Sequence, residues 1–400
     1  VAGRGHVARK QTSKGPRYYP VLELPPVVDP ETGELKRRQR WHPGHSSRKA
    51  ADKELTRILG QLDQGIYVEP SKLTVKDYLT GWLDGMAGKA EPNTLENWRN
   101  YARAQVYPRL GHLRLRDLTA TRLAAFYAAL ADHGRRDGKG GLAPKTVKNI
   151  HGLLHRALSD AVEQSLVPRN EAALKSARPA KVPKVERRVW APEALRWFLG
   201  AMAADRLAAL WHLDCTTGLR RSELLGLPWD GGLDLEAGEL AVVQRLILVN
   251  HRPVIRRGTK TPKSARRISL DPVTVAMLRA HRRAQATERL AWGPAWQDHG
   301  LVFCREDGTP LYPNWVTARF ERLATEAGLP RLTLHGLRHS YATAGLAAGV
   351  DMKVMSERLG HASTAITADL YTHVLPTMDA AAAARVAGLI LGAASGGERS

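Results

Sequence analysis

The chain has 400 residues, 43% of them hydrophobic, with 60 Lys and Arg against 39 Asp and Glu for a formal charge of +21. That length and apolar content suit two to three domains, each with its own core, and the charge points to a polyanionic partner, nucleic acid ahead of an anionic membrane surface. The longest predominantly apolar stretch, 380–394, is interrupted by Arg385 and falls short of the roughly 20 residues of a membrane span; no apolar core of a secretory signal is present; and Cys215 and Cys304 alone make neither a zinc cluster nor a disulfide framework. A globular protein of the reducing cytoplasm is expected.

Residues 1–49 carry eleven basic residues against four acids. Tyr19, Val21, Leu22 and Leu24 predict a strand, Pro30-Glu-Thr-Gly33 a turn, and Lys36–Trp41 a return strand edged with Lys36, Arg37, Arg38 and Arg40. Ser47 is placed to cap a helix to about Gln64. Residues 1–70 therefore read as a small α/β module with a basic face, a solvated basic tail being the plainer alternative. From Thr74 to about Ala173 the pattern is helical. Val75, Tyr78, Leu79, Trp82 and Leu83 share one face, Thr94–Val106 and Leu118–His133 follow, and Lys145–Glu163 turns Val147, Ile150, Leu153, Leu154, Ala157, Leu158 and Ala161 inward. The stretch 178–188, with Lys181, Lys184, Arg187 and Arg188 among prolines, reads as a basic linker. Beyond it come helices at about 192–203 and 205–216, strands at Glu239–Val249, Val254–Arg257 and Arg266–Leu270, further helices, and an amphipathic helix near residue 380.

Four segments of the last region combine residues suited to holding and cutting a phosphodiester. In Thr216-Thr-Gly-Leu-Arg-Arg-Ser-Glu, Arg220 opens a helix where a guanidinium can grip two phosphate oxygens, and Glu223 can orient an arginine; alone, such a pair is commonly a surface ion pair. In the basic turn 258–270, Lys260 and Lys263 both qualify as a general acid for a departing oxygen, or simply as phosphate-gripping charge. In Leu334-His-Gly-Leu-Arg-His, His335 and Arg338 share a helix face and can neutralise a pentacoordinate phosphate, while His339 points elsewhere. In Leu359-Gly-His, Gly360 ends a helix before His361, and Tyr371 two turns on becomes a nucleophile if cations favour its phenolate; a lone tyrosine is more commonly a core residue.

Together and in this order, T-G-x-R-x-x-E, K-T ahead of a basic strand, H-x-x-R-H, L-G-H and a tyrosine about ten residues on resemble the tyrosine recombinase (phage integrase) family. The resemblance covers about 187–378, extends to the helical 74–173 as a core-binding domain, and touches 1–70 only in its likeness to the layout of arm-binding domains. It implies a fold that is mainly α with small β-sheets. The implied domains are an arm-DNA-binding-like module (1–70), a helical, SAM-like core-binding domain (74–177), a linker (178–188), an α+β catalytic domain (189–378), and a C-terminal helix and tail (379–400). It also implies a DNA recombinase that needs neither metal nor cofactor. Arg220, Arg338 and His361 would hold the scissile phosphate, Glu223 would support them, Tyr371 would form a 3′-phosphotyrosyl link, and His335 would assist proton transfer. Lys260 would protonate the leaving 5′ oxygen, because K-T-x-x-S-x-R matches Lys260, Thr261, Ser264 and Arg266; Lys263 is the fallback.

The implied partners are double-stranded DNA attachment sites of a phage or other mobile element, three further copies of the chain in a homotetramer, and a directionality factor or DNA-bending protein, with no membrane role. DNA contacts are expected from Lys36, Arg37, Arg38, Arg40, Lys181, Lys184, Arg187, Arg188, Lys263 and Arg266. The competing readings are a type IB topoisomerase-like relaxing enzyme and a non-catalytic DNA-binding regulator.

Overall fold

The computed structural model describes residues 5–13, 15–28, 33–64, 67–69, 71–183, 188–249, 251–258, 265–361, 363, 364, 368, 387 and 390. Lys184, Arg187, Lys260, Lys263, Ser264 and Tyr371 lie outside these residues, as does the expected C-terminal helix apart from Ala387 and Ile390. Among the described residues the architecture is mainly helical with three small sheets, and the chain divides into two compact units, Val1–Pro183 and Lys184–Ser400. No helix among the described residues is long and apolar enough to cross a membrane.

The first unit opens with an antiparallel sheet of β1 (Gly5–Thr12), β2 (Gly15–Val28) and β3 (Leu35–Trp41) in that order. Helix α1 (Arg48–Asp63) starts where the Ser47 hydroxyl accepts the Ala50 amide. Val21, Leu22, Ala51 and Ile58 are buried. β1 is absent from the sequence reading, since only Val7 and Ala8 in that strand are aliphatic. Lys36, Arg37 and Arg38 are exposed on β3, where Arg37 pairs with Glu23 and Arg38 with Glu69. Lys10 lies over the Trp41 ring at 4.2 Å.

A helical bundle follows: α2 (Val75–Gly85), α3 (Pro92–Tyr101), α4 (Tyr107–Leu110), α5 (Ala120–His133) and α6 (Pro144–Glu163). Thr74 and Thr119 cap α2 and α5 with their side chains. The expected single helix 94–106 is instead α3 followed by a π-helical turn, Ala102–Val106, that buries Gln105 so that its amide reaches the Gly134 carbonyl. The apolar stripes of α2, α5 and α6 form one core, pinned by Tyr78 Oη donating to the Ala157 carbonyl (2.6 Å) and Trp82 Nε1 donating to Asp160 (2.6 Å).

The second unit contains α7 (Pro192–Ala201), α8 (Ala208–Thr217), α9 (Arg221–Leu225), β4 (Leu233–Asp234), β5 (Glu239–Ala241), β6 (Gln244–Val249), β7 (Arg252–Arg257), β8 (Arg267–Ser269), α10 (Pro272–Trp292), α11 (Pro313–Glu326), α12 (Leu334–Ala347) and α13 (Met352–Leu359). The expected single strand Glu239–Val249 breaks at Val242–Val243, so that β5 joins β4 and β8 while β6 pairs with β7. Trp190, Phe198, Trp211 and Phe320 form an aromatic centre with ring centroids 5.4–6.3 Å apart. A smaller cluster of Ala342, Leu346, Met355 and Leu359 packs α12 against α13.

Leu153 on α6 is fully enclosed, so Leu153→Ala should lower stability by about 2–5 kcal/mol, the usual cost of a buried Leu truncation. Urea denaturation of both proteins checks this.

Candidate active site

Two helix ends create the site. α8 ends at Gly218 (φ +59°) and α13 at Gly360 (φ +64°), both in the left-handed region that glycine enters without steric cost. A Cβ on Gly218 would lie 2.6 Å from the Tyr341 ring, and one on Gly360 would lie 2.9 Å from the Arg266 guanidinium. Side chains could not stand there without displacing these neighbours.

The C-terminal end of α13 and its Gly360 cap offer three consecutive carbonyls, and each accepts from a different arginine. Arg266 Nε donates to Arg358 O (2.6 Å), Arg338 Nη2 to Leu359 O (2.6 Å) and Arg220 Nη2 to Gly360 O (2.6 Å). Arg338 also donates through Nη1 to the Gly218 carbonyl (2.7 Å), so its guanidinium, 3% exposed, joins the ends of α8 and α13. Arg358 in turn donates to the Tyr341 hydroxyl (2.8 Å) and to the Ser269 carbonyl (3.3 Å), holding the turn to α12 and β8.

Glu223 is the shared counter-charge. Its Oε1 accepts from Arg220 Nη1 (2.6 Å), and its Oε2 accepts from Arg266 Nη2 (2.9 Å) and the Arg220 amide (3.1 Å). Burial pushes its carboxyl up, but Arg266 and Arg220 outweigh it and hold the value below 4.5. Burial and the neighbouring Arg220 push Arg338 down to about 9. His361 is half-buried; burial, then Arg338, Arg220 and His339, push it down to about 4, so the imidazole is neutral at pH 7.

The structure thus brings Arg220, Glu223, Arg338 and His361 together. His335 is exposed at the start of α12, its ring 4.7 Å from that of His339 in an edge-to-face contact. His339, read from sequence as pointing elsewhere, is close enough to weigh on His361; its place directly after Arg338 was the available signal. Arg266 was expected to touch DNA. Its side chain is 7% exposed and committed to the Glu223 carboxylate and the Arg358 carbonyl, which turn it inward and away from solvent. Sequence reasoning had no signal for the carbonyl triplet. Lys181 and Arg188 are exposed.

A family model, the phage integrase family, matches residues 196–378. An integrase of Streptomyces ambofaciens is 30% identical over 326 residues, covering 80% of this chain and 81% of its own. Among solved structures, the Tn1549 transposon integrase in complex with transposon right end DNA superposes with a TM-score of 0.66 at 20% identity, covering 79% of this chain and all of the other. A lambda integrase tetramer bound to a Holliday junction gives 0.55 at 19% identity over 88% of this chain and 92% of that one. The chain belongs to the phage integrase family, the tyrosine recombinases. Its activity is the cleavage and rejoining of DNA strands.

Two outcomes follow from these charges. Glu223→Gln leaves the buried Arg266 without its counter-charge, and should cost about 3–5 kcal/mol in urea denaturation at pH 7. His361 has an unfolded value of 6.5 and a folded value of about 4, so the unfolded chain takes up the proton first. Its contribution is complete above pH 6.5 and is lost as pH falls toward 4. His361→Gln should flatten that part of the stability–pH curve, measured by urea denaturation at pH 7 and pH 5.

Proposed function

We propose that the chain is the site-specific integrase of a phage or other mobile element, joining double-stranded attachment sites as a homotetramer. The observation that carries this reading is the cluster in which Arg220, Arg338 and His361, from three separate segments, converge beside a single ionised carboxylate. Three guanidinium charges against one carboxylate leave a cationic centre, which suits a phosphodiester and the extra charge of its pentacoordinate transition state.

In this reading Arg220 and Arg338 bind the non-bridging oxygens and His361 donates a hydrogen bond from its neutral ring. The Tyr371 oxygen attacks phosphorus, the bond to the 5′ oxygen breaks, and Lys260 delivers the proton that the leaving oxygen needs; Lys263 is the alternative donor. His335, exposed beside His339, carries protons to or from the site. The phosphotyrosyl ester keeps the bond energy of the broken linkage, so a second 5′ hydroxyl restores the diester by reversing the same step. Residues 1–70 serve as the arm-binding module, residues 74–177 as the core-binding domain and residues 189–378 as the catalytic domain. Lys36, Arg37, Arg38, Arg40, Lys181, Lys184, Arg187 and Arg188 contact phosphates, and a directionality factor or DNA-bending protein selects the direction. The names of the relatives and structural neighbours, integrases of mobile elements among them, favour strand exchange over simple relaxation and over a non-catalytic regulator.

The test uses DNA flanking the chain's own gene and looks for a denaturant-resistant protein–DNA adduct. Wild type should form it. Tyr371→Phe should bind and form none, and Arg220→Ala should slow its formation by about 100-fold or more, the usual loss when one transition-state donor is removed. Full activity in either variant refutes the assignment.

A further inference from the structure

The mechanism leaves a buried carboxyl group beside the site unused. Asp214 lies on α8, one turn before its Gly218 cap, and is 1% exposed. Its main-chain carbonyl accepts the Gly218 amide (2.9 Å), and the Gly218 carbonyl accepts Arg338 Nη1 (2.7 Å). Asp214 is therefore built into the same helix end that receives Arg338. Its Oδ2 is sealed from solvent and has no hydrogen-bond partner among the described residues. A carboxylate buried in that way is strongly disfavoured unless a cation compensates it. The cation acting on it is Arg338 of α12, around which stand Arg220, Glu223 and Arg266. On its own helix the neighbour Cys215 is a thiol that burial and Asp214 both keep protonated, and His212 is turned away to Thr274 and the Asp271 charge at the start of α10.

We propose that Asp214 is a positioning residue whose proton sets how much of the Arg338 charge reaches the scissile phosphate. The inference rests on Arg338 as a phosphate ligand. Protonated, Asp214 is neutral and the guanidinium charge is spent on the substrate; ionised, it becomes a counter-charge behind Arg338 and weakens that grip. Burial pushes the carboxyl up to about 8, with Arg338 pulling in the opposite direction, so the change falls within ordinary buffers. A phosphate on Arg338 favours the protonated acid, which couples DNA binding to proton uptake.

The deciding quantity is the rate of adduct formation by Asp214→Asn divided by that of wild type, on a duplex that gives the wild-type adduct at pH 7, followed to pH 9. Asparagine keeps the shape and cannot ionise, and the ratio cancels every pH effect that the two proteins share. It should be near one at pH 7 and rise to about tenfold at pH 9, as a group titrating at about 8 goes from mostly neutral to mostly ionised. A flat ratio overturns the proposal and leaves the phosphate site standing, because the wild-type adduct on the same duplex reports on that site separately. Wild type alone supplies a second measurement that does not depend on the variant folding. Infrared difference spectra between pH 7 and pH 9 should show a buried protonated carboxyl band disappearing at the alkaline end, and its persistence at pH 9 or absence at pH 7 would equally overturn the proposal.

Discussion

The constraint on which the second unit depends is the burial of the Arg338 guanidinium. A planar cation with five donors cannot be enclosed without acceptors, and the acceptors found here are main-chain carbonyls at the C-terminal ends of α8 and α13. Helix C-termini suit this task twice over: their last carbonyls lack intrahelical partners, and the negative end of the macrodipole favours a cation. One side chain on α12 therefore fixes the ends of two other helices, and the left-handed glycines at 218 and 360 are what allow those ends to be presented.

Carbonyl acceptors have a further advantage over carboxylates. They orient a guanidinium without cancelling its charge. Arg220 and Arg266 share one ionised carboxylate, Glu223, while the main-chain carbonyls of Arg358, Leu359, Gly360 and Gly218 contribute dipoles to Arg220, Arg266 and Arg338. The carbonyls orient the three guanidinium groups, and the one carboxylate offsets only one of their three charges. Burial, reinforced by the same field, keeps His361 neutral, so that the ring adds no charge of its own.

Most of this arrangement was legible in the sequence wherever periodicity or a compact motif carried it. The helices α2, α5 and α6 followed from their apolar spacing, α1 from Ser47, and the meeting of Arg220, Glu223, Arg338 and His361 from three short segments. What escaped did so for physical reasons. β1 pairs through its backbone and has few apolar side chains to mark it. The break at Val242–Val243 closes the first of two apolar runs, 240–243 and 246–249, which are separated only by Gln244 and Arg245, with no glycine or proline to mark a turn. Arg266 reads as one more cation in a basic stretch, and only tertiary packing against Glu223 distinguishes it from its exposed neighbour Arg267.

The bond between Arg220 and Gly360 spans 140 positions of the chain. Synthesis runs from the N-terminus, and contacts between distant segments form after local ones. Arg220 and Glu223 thus leave the ribosome long before the turn that orients Arg220 exists. The helical bundle of the first unit and much of the second can fold in the meantime, but the cluster of Arg220, Glu223 and Gly360 cannot form. A growing chain whose N-terminal region has already folded consequently lacks the assembled arginine cluster until the turn at Gly360 has been made.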